Sequence, residues 1–309
     1  MNNAPLVLNE PAVLALLAKV DALETMRRLF TELGRNQAVQ PPQTLTLFPG
    51  DRGDFITYLG ASTGAQLFGA KLSPYLVGAD APIISAWTVL MSMETGQPLL
   101  LCDSARLTTE RTAATTALAV DHLARKDARR LAIIGSGKVA QAHLRHVVAL
   151  RDWEEIRVYS PRVEAAAWEV LDSRITVAAG AAEAIGHADV AMLCTSSGKP
   201  VIDTGALRPG ILVTSISTNV ANAHEVAPDF LTQADVYCDY RKTTPSAAGE
   251  MRLAAARGWN PEAIRGDLAE LSVGSCLLPS GERPVFFRSI GLGLEDIFMA
   301  QAVLAAARS

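Results

Sequence analysis

The run Leu131-Ala132-Ile133-Ile134-Gly135-Ser136-Gly137-Lys138-Val139-Ala140 constrains the fold of this chain more than any other ten residues. Four apolar residues enter a G-x-G-x-x-A turn, and a helical pattern follows at once. A strand that ends in a glycine turn and restarts as a helix opens a dinucleotide-binding βαβ unit. Gly135 permits the tight turn, Gly137 lets the backbone approach a pyrophosphate, and Ala140 keeps strand and helix close. The helix start offers free N–H groups and a partial positive charge to phosphates. Gly135, Ser136, Gly137, Lys138, Val139 and Ala140 are therefore expected to bind a dinucleotide.

The sequence around this turn supports a doubly wound α/β domain. β-like runs at 156–159, 175–177, 190–194, 211–216 and 236–239 follow it, with helical stretches at 138–150 and 165–171 between them. Such alternation implies a parallel sheet of Rossmann type. A helical pattern at 109–126 precedes the turn. The first hundred residues differ. Residues 6–34 read as helical, with Gly34 where a C-cap would stand. Short β-rich runs at 45–48, 55–59, 67–72, 87–93 and 99–101 follow, split by turn residues such as Pro49-Gly50-Asp51. This meander suggests a smaller α+β domain. Residues 295–307 read as one more helix.

The strand after the glycine turn ends Val158-Tyr159-Ser160-Pro161-Arg162, with no carboxylate to hold a ribose diol. Ser160 and Arg162 suit a 2′-phosphate instead, because a guanidinium pairs with phosphate bidentately. NADP(H) is thus favoured over NAD(H). With 28 basic and 32 acidic residues the net charge is −4, which leaves no electrostatic footprint for nucleic acid. No apolar run is long enough to span a membrane. Residues 1–10 lack the basic start of a secretory signal. The four cysteines, Cys102, Cys194, Cys238 and Cys276, lie far apart and read as reduced thiols of a cytoplasmic protein. No metal site is expected. His143 and His146 stand at i, i+3 without a further ligand nearby and read as phosphate-facing or surface residues.

Several motifs in this order resemble the ornithine cyclodeaminase/mu-crystallin family. They are Gly69-Ala70-Lys71, Arg111-Thr112-Ala113-Ala114, the loop from Gly135, Ser160-Pro161-Arg162, Arg208-Pro209-Gly210, and Val285-Phe286-Phe287-Arg288-Ser289-Ile290-Gly291-Leu292-Gly293-Leu294-Glu295-Asp296. The resemblance implies a Rossmann domain, residues 113–290, inserted in a substrate-binding and dimerisation domain, residues 1–112 plus 291–309. It implies a homodimer, and hydride transfer between nicotinamide and the α-carbon of a small amino or imino acid. It assigns the substrate carboxylate to Lys71 and Arg111, with Lys71 also a proton source. Thr112, Thr195, Ser196, Ser217, Ser289 and Gly291 would join the cofactor site.

The chain also departs from the cyclodeaminases. Gln43 stands where they carry an arginine, Thr57 near their glutamate, and Asn219 at their catalytic aspartate. An amide cannot ionise to move a proton. An imine reductase or amino acid dehydrogenase is therefore the expected activity, with Gln43 at the substrate and Asn219 at the catalytic position. Ornithine cyclodeaminase is the alternative. A non-catalytic protein that holds a small ligand with NADPH is another. The resemblance also implies that Glu225 stands where the family begins a helix with a glutamate, and a carboxylate there suits the dipole.

Overall fold

The computed structural model describes residues 4–78, 81–218 and 222–309. They form two compact units, one of residues 1–111 and 292–309, the other of residues 112–291.

The second unit is built on eight parallel strands among the described residues. Their order is Ile175–Val177, Glu155–Tyr159, Arg130–Ile134, Val190–Leu193, Leu212–Ser215, Val285–Arg288, Asp235–Cys238 and Gly266–Asp267. The chain starts in the middle at Arg130–Ile134, winds outward to Ile175–Val177, then returns to Val190–Leu193 on the other side. Ligands of such sheets bind at this reversal, outside the carboxyl ends of the strands. Leu131, Ala132, Ile133 and Ile134 are all buried, as a strand covered on both faces must be. Helix Lys138–Val147 follows directly, with Gly137 as its extended N-cap and no side-chain cap. Its first N–H groups are not taken by a capping side chain.

The first unit holds a mainly antiparallel sheet in the order Leu6–Leu8, Pro98–Asp103, Trp87–Ser92, Leu67–Leu76, Gly53–Ser62 and Ala38–Val39. Among the described residues only Leu6–Leu8 pairs in parallel in this sheet, with Pro98–Asp103. Helix Gly293–Arg308 covers one face. It buries Leu294, Ile297, Phe298, Met299, Ala300 and Val303, so it is apolar nearly all round, as a core helix is. Gly293 is required there, since a Cβ would sit 2.3 Å from the Leu59 carbonyl oxygen. The other face is apolar and exposed. Val7, Leu101, Val89, Ala70 and Leu59 stand in one cross-strand row, and Leu72 pairs with Trp87 beside it.

Residues 6–34 are not one helix. Leu6–Leu8 joins the sheet, and Asn9 and Asp21 each cap a separate helix, Glu10–Leu17 and Ala22–Gly34, by accepting a backbone N–H. Two capping side chains override a continuous apolar period. The helix expected from residue 109 begins earlier, as Ala105–Leu123, and places Arg111 in its second turn.

Candidate active site

In the second unit the glycine turn is as tight as its sequence demands. Gly135 has φ +128°, and a Cβ there would lie 2.4 Å from the Cys194 carbonyl oxygen. A Cβ at Gly137 would meet no atom within 4 Å, which leaves its backbone open to a ligand. A cleft of about 260 Å³ lies over the turn, lined by Gly135, Tyr159, Ser160, Pro161, Thr195 and Val201. The sequence-derived residues Gly135, Ser160 and Thr195 thus meet in one cleft. Arg162 is exposed, and its N–H donates to Ser160 Oγ at 3.4 Å. Lys138 and Ser196 are exposed, while Thr112, Ser136 and Val139 are half-buried and Ala140 is buried. A dinucleotide fits this turn, with the exposed Arg162 beside the strand end.

Glu225 does not open a helix. The chain there is irregular, and Glu225 is fully buried. One of its oxygens accepts from the Thr195 N–H at 2.8 Å and the Thr195 hydroxyl at 2.7 Å. The other accepts from Ser215 Oγ, the Ile216 N–H and the Ser217 N–H at 2.8 to 3.0 Å. Burial pushes its pKa up, against the pull of these donors. The carboxylate ties the ends of two central strands at the cleft, a task that the helix start implied by the resemblance does not suggest.

Asp239 plays a parallel part. It is fully buried and accepts from Ser289 Oγ at 3.1 Å, the Ile290 N–H at 2.6 Å and the Gly291 N–H at 3.0 Å. Ser289 and Gly291 therefore stand in a segment clamped by a carboxylate, with Gly291 at φ +79°. Arg288, also fully buried, pairs with Glu250 at 2.8 Å. It donates to the Ser217 carbonyl at 2.5 Å and the Ser289 carbonyl at 3.0 Å. The Ser217 hydroxyl donates to the Ser197 carbonyl.

His143 is buried, neither on the surface nor directed at a phosphate. Its ring nitrogens lie 2.8 Å from the Val139 carbonyl and 3.0 Å from Thr116 Oγ1. Cys194 is buried, and burial pushes its thiol pKa well up, which disfavours the thiolate that a nucleophile needs. Asn219 lies outside the described residues.

The first unit brings Lys71 and Arg111 together. Lys71 points to the covered face of the sheet, opposite Tyr58 on the neighbouring strand. Its ammonium lies 2.8 Å from Asp296 Oδ2, 3.4 Å from Thr108 Oγ1 and 4.1 Å from the centre of the Tyr58 ring. Arg111 donates through Nη1 to Glu295 at 2.7 Å and through Nε to Asp296 Oδ1 at 3.2 Å. Glu295 and Asp296 sit in the first turn of helix Gly293–Arg308, where the dipole favours carboxylates. All four charged side chains are at most 6% exposed. Burial brings the Lys71 pKa down to about 8, although Asp296 pulls it up. Burial would lower that of Arg111 as well, but Asp296 and Glu295 outweigh it and hold the guanidinium charged.

Gln43 is half-buried and keeps a buried side-chain oxygen without a hydrogen-bond partner among the described residues. Thr57 pairs with Leu72 and so faces the sheet side opposite to Lys71. Among the described residues no group of acidic, His or Cys side chains could hold a metal ion. No described helix is long and apolar enough to cross a membrane.

Comparison with known proteins agrees with these motifs. The ornithine cyclodeaminase/mu-crystallin family model matches residues 7–309. The chain belongs to this family. The NAD(P)H-dependent anabolic L-arginine dehydrogenase DauB of Pseudomonas aeruginosa is 55% identical over 97% of this chain and 96% of its own. A Delta(1)-pyrroline-2-carboxylate reductase of Bacillus cereus is 26% identical over 87% and 86%. Among solved structures, the Thermococcus litoralis Delta(1)-pyrroline-2-carboxylate reductase, held with NADH and L-proline, matches this family member with a TM-score of 0.90. It is 24% identical, over 98% of this chain and 97% of its own.

Proposed function

We propose that this family member is an NAD(P)H-dependent reductase of a small α-imino acid, which in reverse is an amino acid dehydrogenase. One observation carries the reading. Lys71 and Arg111 already hold the two oxygens of a single carboxylate, that of Asp296. Two buried donors in that relation can take a substrate carboxylate in the same way. Lys71 then supplies the proton that the reduced nitrogen takes up. NADPH, when bound, would supply the hydride. Gly135 and Gly137 would hold its pyrophosphate, and Ser160 and Arg162 its 2′-phosphate. Glu225 and Asp239 hold the loops around Thr195, Ser217 and Ser289 in place.

The 55% identity to an L-arginine dehydrogenase makes the imino acid of L-arginine the first substrate to try. Loss of NADPH absorbance with 2-keto-5-guanidinopentanoate plus ammonia, or with Δ1-pyrroline-2-carboxylate, is the expected result. No turnover of any imino acid would sink the proposal. Arg162→Ser should raise the KM for NADPH about tenfold and leave that for NADH unchanged, since it removes one charge-assisted phosphate contact. An equal effect on both cofactors would remove Arg162 from the 2′-phosphate site.

The exposed apolar face of the first unit supports a homodimer. Val7, Leu59, Leu72 and Trp87 are 37 to 62% exposed on one face of the sheet, and clustered exposed apolar side chains mark an interaction surface. A second copy of this face is its natural cover. Sedimentation should give twice the chain mass, and Leu59→Lys with Leu72→Lys should give the monomer. A wild-type monomer would refute it. The four cysteines are all unpaired, which suits the reducing cytoplasm in which we place the enzyme.

A further inference from the structure

The cluster around Lys71 is charge-balanced before any substrate arrives. Lys71 and Arg111 are two cations; Glu295 and Asp296 are two anions. Asp296 engages both cations, at 2.8 and 3.2 Å, and Glu295 engages Arg111 at 2.7 Å. Among the described residues, Tyr58 from the adjacent strand and Thr108 from helix Ala105–Leu123 also face Lys71, and neither carries a charge. A carboxylate site is more usually made of cations in excess. Here a carboxylate alone would leave a net negative charge among side chains at most 6% exposed, and an unbalanced buried charge is costly.

We propose that the site accepts its substrate only with a positive charge on the α-nitrogen, as an iminium or ammonium carboxylate, and that Asp296 imposes this requirement. The inference rests on the reading that Lys71 and Arg111 hold the substrate carboxylate. A zwitterionic headgroup adds no net charge to the cluster. A 2-keto acid adds one negative charge, and so does a neutral imino carboxylate. The enzyme therefore takes up the imine after it has formed and does not collect the keto acid first. Asp296 sets the rule because removing its charge leaves the cluster with a surplus cation, free for an anion.

The test is calorimetric binding, with NADPH present so that no hydride can leave the amino acid, of two pairs that differ only in the α-nitrogen. These are L-arginine against 5-guanidinopentanoate, and L-proline against cyclopentanecarboxylate. In the wild type at least one amino acid should bind at least about tenfold tighter than its nitrogen-free analogue. In Asp296→Asn that ratio should fall to one or below, through tighter binding of the analogue. Should this variant not fold, Glu295→Gln makes the same one-charge change from the Arg111 side. Analogues that bind the wild type as tightly as the amino acids overturn the charge rule, as does a ratio unchanged in the variants. If imino acids are turned over normally in that case, the proposed function stands. No binding by any of the four compounds overturns the carboxylate role of Lys71 and Arg111 itself.

Discussion

Lys71→Met should lower kcat/KM for imino acid reduction by about 10³-fold, equivalent to about 4 kcal/mol of transition-state stabilisation. On the proposed function, the substitution removes a buried donor to the substrate carboxylate and the proton source for nitrogen. It also strands part of Asp296, which now shares only Arg111. The wild-type pH profile should carry the same signature. Burial brings Lys71 down to about 8, so it is charged below that pH and neutral above it. Reduction should therefore fall as pH rises through about 8. Lys71→Arg keeps the charge but does not titrate there. Its profile should lose this limb at whatever rate remains. A limb that persists in Lys71→Arg belongs to another group or to the substrate, and Lys71 would then not be the proton source.

Arg288→Met should destabilise the protein by about 3–5 kcal/mol, because it leaves Glu250 as an unpaired buried charge. Two carbonyls, of Ser217 and Ser289, lose their donor as well. Thermal unfolding measures the effect. Replacing both partners, as Arg288→Met with Glu250→Leu, should recover part of the loss, since no charge is then left alone. Recovery stays incomplete because the two carbonyls remain without the guanidinium. If Arg288→Met alone melts like the wild type, the pair contributes no stability and the contacts to Ser217 and Ser289 are dispensable.

The Rossmann-type unit was legible because its signals are local. The strand before Gly135 is apolar on both faces, and the next residues are glycine and helix, with no distant partner needed. The last two strands of that sheet, Val285–Arg288 and Gly266–Asp267, were not read as strands. One opens a motif that drew notice for its likeness to a family, and the other is two residues long. Residues 6–34 misled because an apolar period of helical length hides a break. Asn9 and Asp21 decide it, and each acts through one capping hydrogen bond.

The site divides the same way. Lys71, Arg111 and the glycine turn are residue types whose chemistry can be named in isolation. The partners that make them a site cannot. Asp296 stands 225 positions after Lys71 in the chain, and nothing in its spacing points to Lys71. Glu225 looked like a helix-start carboxylate, and the structure makes it a clamp on two strand ends. Asp239 carried no signal at all, although it holds Ser289 and Gly291. Short-range periodicity, turn chemistry and a glycine that admits no Cβ belong to the sequence alone, because each acts within a few bonds. Which buried charge meets which was decided only by folding. Electrostatic partners are chosen by distance in space and by the loss of water around them, and neither is written in the order of residues.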